Sequence, residues 1–233
     1  MRSFLLFLSI FIVGHKLCSQ TTSEEFEYHI IKEISKPNVA GMGIAIINKD
    51  SVLLSKGYGY ADIYDKIPFS NNTVMNIASI SKTLIGVSIM YAIENNLLGL
   101  DDSVNELVPF SIINPYYPDG GLRTTISDLS HYLSWIMNNG SFKGRTIISE
   151  SSLAEMLRSD HSTSYGKFWS IGTRIGHGGW DPGVTTGMYF YPEEDLGIII
   201  FLNSSSYHDF TELEKKVLDH GRYLLRKLDN SQE

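Results

Sequence analysis

Cysteine is almost absent from this sequence: among its 233 residues the only thiol belongs to Cys18. A single thiol excludes an internal disulfide, and it also excludes the paired cysteines that hold structural zinc. The seven histidines are scattered along the chain and show no spacing typical of metal ligands. We therefore predict neither a metal site nor any other cofactor.

The sequence also lacks an excess of positive charge. Its 19 lysines and arginines are outnumbered by 26 aspartates and glutamates, which gives a formal net charge of −7. Nucleic-acid-binding domains carry basic patches or stripes, and none is visible here, so we expect no nucleic-acid partner. A hydrophobic content of 42% and a charged content of 19% are typical of a globular protein of one domain or slightly more.

Apolar runs long enough to span a bilayer are also missing. Residues 4–13 form an almost unbroken apolar run behind a basic residue, and this run is too short to cross a bilayer. Such a pattern is typical of a secretory leader. We predict a leader over residues 1–20 and a secreted or periplasmic mature chain over residues 21–233. Lipid anchoring at Cys18 is not expected, because Leu17 stands where a small residue normally precedes a lipidated cysteine.

What the chain does contain is a serine and a lysine three residues apart, Ser79 and Lys82, followed by an apolar stretch over residues 83–93. Residues three apart lie on the same face of a helix, so the lysine amine can sit beside the serine hydroxyl. A serine hydroxyl is a weak nucleophile until a neighbouring base takes its proton. At the tip of a buried helix, where free N–H groups favour negative charge, the pair is a candidate for acyl transfer.

A plainer interpretation of this spacing stays open. Ser79 would then be only the N-cap of the helix, and Lys82 a surface charge. The same spacing occurs at Ser164 and Lys167, in a polar, glycine-containing stretch with no helix after it. We interpret that second occurrence as a coincidence within a loop.

Periodicity and turn signals predict an α+β domain. Helices are expected at residues 23–34, from 79 to about 95, at 125–137, around 152–157 and at 209–228; strands are expected at 41–48, 51–60, 168–171, 174–177, 184–191 and 196–202. Strands from both ends of the chain are expected to join one antiparallel sheet. The terminal helices would cover one face of this sheet and the Ser79 helix group the other.

Several segments, taken in chain order, resemble one known family. They are the strand 57–62, the nucleophile segment 73–83, the following loop 100–104, the second-half helix start 120–129, the glycine-rich segment 176–183, which stands where other members carry Lys-Thr-Gly, and the closing strand 196–203. Together they make the chain similar to the serine β-lactamase and penicillin-binding-protein superfamily, on its class C and esterase-like branch. The resemblance covers most of the predicted mature chain.

The resemblance implies a catalytic role for three residues. Ser79 would be the acylated nucleophile, and Lys82 would share its proton. His177 would line the site on the edge strand facing Ser79, with a purely structural histidine as the alternative.

The resemblance also implies an oxyanion hole made of the backbone N–H groups of Ser79 and Trp180. Donors aimed at developing negative charge often supply the largest single contribution to catalysis. Gly178 and Gly179 would let a substrate backbone approach the strand closely. No cofactor is implied.

One element of the family is not found between the two halves of this sequence. Members carry Tyr-x-Asn or Tyr-x-Ser between the two halves, and its tyrosine helps to move the proton. Tyr91, Tyr116 and Tyr117 have neither residue two positions later. We therefore predict that most of the helical subdomain is missing, with a deletion near residues 116–119. An uncovered side of the Ser79 helix, with apolar residues such as Ile89, would then offer a patch for self-association.

Two functions from different classes are expected. The first is a secreted serine hydrolase that acylates Ser79 with a β-lactam, a D-amino-acid peptide or an ester, with Lys82 as proton acceptor. The second is a catalytically inactive remnant that acts as a binding or scaffold protein, for instance towards cell-wall peptide.

Overall fold

The structure is a computed structural model, and it describes residues 22–102, 120–159, 164–204 and 211–232. The predicted leader over residues 1–20 and the predicted deletion near residues 116–119 lie outside the described residues. Among the described helices, none is both long and apolar enough to cross a membrane.

The described helices follow the predicted ones closely. They are α1 (Ser23–Ile34), α2 (Ser81–Glu94), α3 (Ile126–Met137), α4 (Glu150–Leu157) and α5 (Thr211–Gln232). Side-chain caps fix where three of them begin. Thr22 Oγ1 accepts from the N–H of Glu25 before α1, Thr125 Oγ1 from the N–H of Asp128 before α3, and Ser149 Oγ from the N–H of Ser152 before α4.

The described strands form one main sheet and two short ribbons. They are β1 (Val39–Ile47), β2 (Val52–Asp62), β3 (Ile67–Pro68), β4 (Met75–Asn76), β5 (Arg123–Thr124), β6 (Ser141–Phe142), β7 (Arg145–Thr146), β8 (Ile175–Asp181), β9 (Val184–Tyr191) and β10 (Leu196–Ser204). The main sheet has six strands in the order β3-β2-β1-β10-β9-β8, and its neighbours are antiparallel. The ribbons are β4 with β5 and β6 with β7.

The centre of the sheet joins the two ends of the chain, because β1 pairs with β10. Both strands are apolar along their length and are buried on both faces. Their side chains alternate between two cores. Ile44 and Ile46 face a cluster with the terminal helices α1 and α5, whereas Ala45 and Ile47 face a cluster with α2 and α3. The predicted α+β sandwich of helices around an antiparallel sheet is confirmed.

One expectation about the elements is corrected and another is supported. The strand expected at 168–171 is not formed; only Ser170 makes isolated bridges, to Tyr165 and Gly176, and Phe168 has a left-handed φ of 68° that interrupts an extended chain. The outer side of α2 is partly uncovered, as expected from the sequence, since Ile89 is 37% and Tyr91 47% exposed. Self-association through this side stays a prediction.

Candidate functional site

The nucleophile candidate sits on a short turn that leads into α2. The chain leaves β4, makes a 3₁₀ turn over Ala78–Ile80 and continues directly into the helix. The Nζ atom of Lys82 donates to the Oγ atom of Ser79 at 2.7 Å, with both side chains partly buried. The N-cap position of α2 belongs to Ile80 rather than to Ser79. The plainer interpretation of a capping serine beside a surface lysine therefore does not describe this arrangement.

Strand β8 lies against this turn, and Gly179 is the residue of closest approach. A β-carbon at Gly179 would lie 2.5 Å from the carbonyl oxygen of Ile77 and 2.4 Å from Oγ1 of Thr186. Backbone cannot yield at such a distance, so only glycine allows β8 to come this near. The segment that carries Ser79 and the segment that carries Trp180 are thereby held side by side. Their joint role as an oxyanion hole stays a prediction.

Two more predicted residues of β8 line the same edge. A β-carbon at Gly178 would lie 2.8 Å from the hydroxyl of Tyr189, which is the end of a side chain that can shift, so glycine is less strictly required here than at Gly179. The side chain of Trp180 is 53% exposed at the rim of the site. An exposed indole of this size offers apolar contact to whatever binds beside Ser79.

His177 is partly buried, and a hydrogen bond holds each of its ring nitrogens. Its Nδ1 atom lies 2.5 Å from the carbonyl oxygen of Gly178, and its Nε2 atom lies 3.0 Å from the hydroxyl of Tyr165. A carbonyl can only accept, so Nδ1 carries a proton, and in the neutral ring Nε2 accepts from the Tyr165 hydroxyl. Burial lowers the pKa of His177 below its ordinary value; the bond to Gly178 opposes this and the nearby charge of Lys82 adds to it.

Tyr165 was not singled out from the sequence, although the structure brings it to the site. It belongs to the second Ser-x-x-Lys stretch, between α4 and β8. The lysine of that stretch, Lys167, donates to the Oε1 atom of Glu155 at 2.9 Å and so anchors the loop. The interpretation of this second motif as a loop feature agrees with that contact. No local sequence signal points to Tyr165, because its contact with His177 depends on the path of the whole loop.

A tyrosine with the Tyr-x-Ser spacing does occur in α3, at Tyr132 and Ser134, but it serves the core. The Tyr132 ring packs near Trp135 and Trp169. Burial raises the pKa of Tyr132, so its hydroxyl keeps its proton. The serine side chain donates instead to the backbone carbonyl of Lys49. This pair therefore does not supply the missing motif at the site.

The described residues contain no group of three or more His, Cys, Asp or Glu side chains placed to hold a metal ion. The side chains that the structure brings to the site are a serine hydroxyl, an amine, an imidazole and a phenol. A serine hydroxyl bonded to a lysine amine, beside the edge of an antiparallel sheet, defines a site of the serine-hydrolase type.

Comparisons with known proteins agree with that class. The family model described as Beta-lactamase matches residues 29–129. "Protein flp" of Staphylococcus aureus (strain NCTC 8325 / PS 47) is 31% identical over 93 residues, which are 40% of this chain and 19% of that protein. The matched segment therefore spans about a fifth of the length of this curated relative.

Two solved structures share the fold. The octameric penicillin-binding protein homologue from Pyrococcus abyssi superposes with a TM-score of 0.70 at 16% identity, over 79% of this chain and 74% of that one. The β-lactamase/D-alanine carboxypeptidase from Pseudomonas syringae superposes with a TM-score of 0.66 at 12% identity, over 86% and 97%. These findings make the chain similar to the serine β-lactamase and penicillin-binding-protein-like superfamily.

Proposed function

We propose that this chain is a serine hydrolase that forms an acyl-enzyme on Ser79, with Lys82 as the proton acceptor. The observation that carries the proposal is the 2.7 Å hydrogen bond between Lys82 Nζ and Ser79 Oγ. General bases act from hydrogen-bond distance, and this pair is already within it. The fold supports the same class of reaction.

The first half-reaction forms the acyl-enzyme. Lys82, as the neutral amine, takes the hydroxyl proton while Ser79 Oγ bonds to the substrate carbonyl carbon. The backbone N–H groups of Ser79 and Trp180 stabilise the negative charge on the carbonyl oxygen. The bond to the leaving group then breaks, and the ammonium of Lys82 returns its proton to that group.

The second half-reaction releases the acid. Water attacks the acyl carbonyl, its proton passes to Lys82, and the bond to Ser79 Oγ breaks as the serine regains a proton. The neutral ring of His177, held by Tyr165, lines the cleft without adding a second cation beside Lys82. Its lowered pKa supports this neutral state.

The substrate belongs to one of three acyl classes: a β-lactam, a D-amino-acid peptide or an ester. The likeness to a β-lactamase/D-alanine carboxypeptidase supports small-molecule or peptide substrates. We also propose that the protein acts outside the cytoplasm, in the periplasm or secreted, because residues 4–13 have the pattern of a leader. N-terminal sequencing of secreted protein is expected to start near residue 21.

A second candidate function is that of an inactive binding or scaffold protein. It is favoured by the absence of Asn or Ser two positions after Tyr91, Tyr116 and Tyr117. Such a protein would bind cell-wall peptide or a partner without turning it over. The two candidates differ in whether Ser79 becomes covalently modified.

The deciding experiment is the intact mass of the purified protein after incubation with a fluorophosphonate and, separately, with benzylpenicillin. The hydrolase is expected to gain one adduct, and Ser79→Ala is expected to remove it. Ser164→Ala is the matched control, because it removes the serine of the other Ser-x-x-Lys stretch and should leave the adduct in place. A protein that is folded by circular dichroism and gains no adduct with either reagent would contradict the hydrolase and favour the scaffold.

A further inference from the structure

The residue before the nucleophile candidate has an unusual backbone conformation. Ala78 has a φ of 46°, and its side chain is buried. A β-carbon makes this left-handed region unfavourable, so residues other than glycine adopt it only when their surroundings hold them there. Because Ser79 follows directly, the direction of its hydroxyl and of its N–H depends on the conformation of Ala78.

One side chain holds this residue directly. The Oδ1 atom of Asn76 accepts from the N–H of Ala78 at 2.8 Å, while its Nδ2 atom donates to the Oδ2 atom of Asp181 at 2.9 Å. A backbone N–H can only donate and a carboxylate can only accept. The two partners therefore allow a single orientation of the Asn76 amide, and Asp181 selects it.

Neighbouring backbone contacts hold the rest of the turn, and the carbonyl of Ala78 accepts from the N–H of Ser81, while Asn76 is the side chain that binds the Ala78 N–H. The N–H of Ile77 donates to the carbonyl of Leu122 at 3.1 Å, and Thr186 Oγ1 donates to the carbonyl of Ile77 at 2.9 Å. Asp181 lies at the end of β8, which also carries Trp180. The chain Asp181–Asn76–Ala78 thus connects the strand of one proposed oxyanion donor to the turn of the other.

We propose that Asn76 and Asp181 are positioning residues for the nucleophile: they hold Ala78 in the left-handed conformation and thereby aim Ser79 at the cleft beside β8. This inference rests on the proposed function of Ser79. Neither residue takes part in the reaction itself, and both act through the backbone of Ala78. A small error in the direction of a nucleophile is costly, since a misplacement of about 1 Å can lower a rate about 100-fold.

The first test is a rescue by glycine. Asn76→Ala is expected to slow acylation of Ser79 by a fluorophosphonate about 10- to 100-fold, measured by intact-mass time courses. Glycine reaches positive φ without a side-chain clamp, so Ala78→Gly in the Asn76→Ala background is expected to recover most of that loss. Asn72→Ala is the control, since it changes an exposed asparagine that precedes Asn76 in the same segment of the chain. A folded double variant as slow as Asn76→Ala would overturn the proposal.

The second test exchanges the two polar groups. Asn76→Asp sets two carboxylates against each other and is expected to slow acylation by a similar factor. Asp181→Asn added to it lets the new amide donate to the new carboxylate, which still accepts from Ala78, and the rate is expected to return towards that of the wild type. Equal rates for the Asn76→Asp variant and the double exchange would contradict a role for the bond between the two side chains.

A third measurement keeps the inference separate from the proposed function. In urea unfolding, Asn76→Ala is expected to lower the midpoint more when residue 78 is alanine than when it is glycine. If the wild type reacts but Asn76→Ala reacts equally fast, the positioning role fails alone. If the wild type never reacts, the proposed function fails. If, in addition, Asn76→Ala lowers the urea midpoint equally whether residue 78 is alanine or glycine, Asn76 does not hold Ala78 in its left-handed conformation, and the inference fails too.

Discussion

At the scale of single residues, the part proposed for Lys82 depends on an amine that can lose its proton. Arginine keeps the positive charge but is not deprotonated in proteins. Lys82→Ala and Lys82→Arg are therefore both expected to slow fluorophosphonate labelling of Ser79 by about 100-fold or more. Intact-mass time courses measure the rate, and circular dichroism checks the fold.

Lys32→Ala is the control for Lys82, because it removes an exposed lysine of α1, a helix that packs on the other face of the sheet. Labelling of this control should proceed at the wild-type rate. Undiminished labelling of Lys82→Arg would mean that position 82 contributes only charge, and the proton acceptor would have to be sought elsewhere.

The lowered pKa of His177 predicts how the stability of the fold depends on pH. Its folded pKa is lowered, so between that pKa and the ordinary value the unfolded chain binds more protons there than the folded protein does. The contribution to stability is fully present above the ordinary value of about 6.5 and is lost as pH falls below it. His177→Gln is therefore expected to flatten the fall in melting temperature between about pH 7 and pH 5.

The control for His177 is His131→Gln, which changes an exposed histidine. Melting curves at matched ionic strength over the same pH range compare the three proteins. A decline in melting temperature that is as steep in His177→Gln as in the wild type would contradict the assignment of this titration to His177.

Residues differ in how far the sequence reveals them. Ser79 and Lys82 could be predicted because their contact depends only on helical spacing. Tyr165 could not, because its contact with His177 depends on a loop path between α4 and β8 that leaves no periodic signal. The left-handed conformation of Ala78 was likewise hidden, since alanine gives no local sign of positive φ.

At the scale of elements, β8 and the nucleophile turn act as one unit because Gly179 lets them touch. A methyl group from Gly179→Ala would lie 2.5 Å from the Ile77 carbonyl oxygen and would push the strand away. We expect this variant to lose about 1–3 kcal/mol of unfolding free energy and to label Ser79 more slowly. Urea unfolding and the labelling time course measure the two effects.

Gly121→Ala is the matched control for Gly179, because a β-carbon there would meet nothing within 4 Å. This variant should unfold and label like the wild type. If Gly179→Ala matched it in both measurements, the close approach of β8 to the turn would not matter for the site.

Elements with strong periodicity were predicted nearly to the residue, as α1 and β9 show. The prediction failed at 168–171, where an apolar run suggested a strand but the positive φ of Phe168 turns the chain. Strand β8 was expected to end at His177, yet it continues to Asp181 through two glycines. Pairing with β9 decides this length, and pairing partners cannot be seen in a single strand.

At the scale of the whole molecule, the described fold is held together by one sheet with a core on each face. The pairing of β1 with β10 places both cores on the same central strands. The sequence predicted this layering because both strands are long apolar runs and the helices next to them are amphipathic. A substitution that destabilises one core should therefore destabilise the other as well.

Cooperative unfolding tests this shared sheet. Leu133 lies in the core with α3, and Leu213 in the core with α5, and both are almost fully buried. Leu133→Ala and Leu213→Ala are each expected to lower the free energy of unfolding by about 2–5 kcal/mol. Fluorescence reports on Trp135 and Trp169 in the α3 core and on Trp180 of β8, whereas circular dichroism reports on helices of both faces.

In a single cooperative unit the two signals must change together in each variant, because neither core can open without disturbing the central strands. Urea titrations followed by both signals are expected to give coincident transitions in the wild type and in both variants. A Leu213→Ala protein whose circular dichroism falls before its fluorescence would mean that the terminal helices detach on their own. The Ser79 side of the sheet would then be an independently stable layer, and its reactivity should survive that first transition.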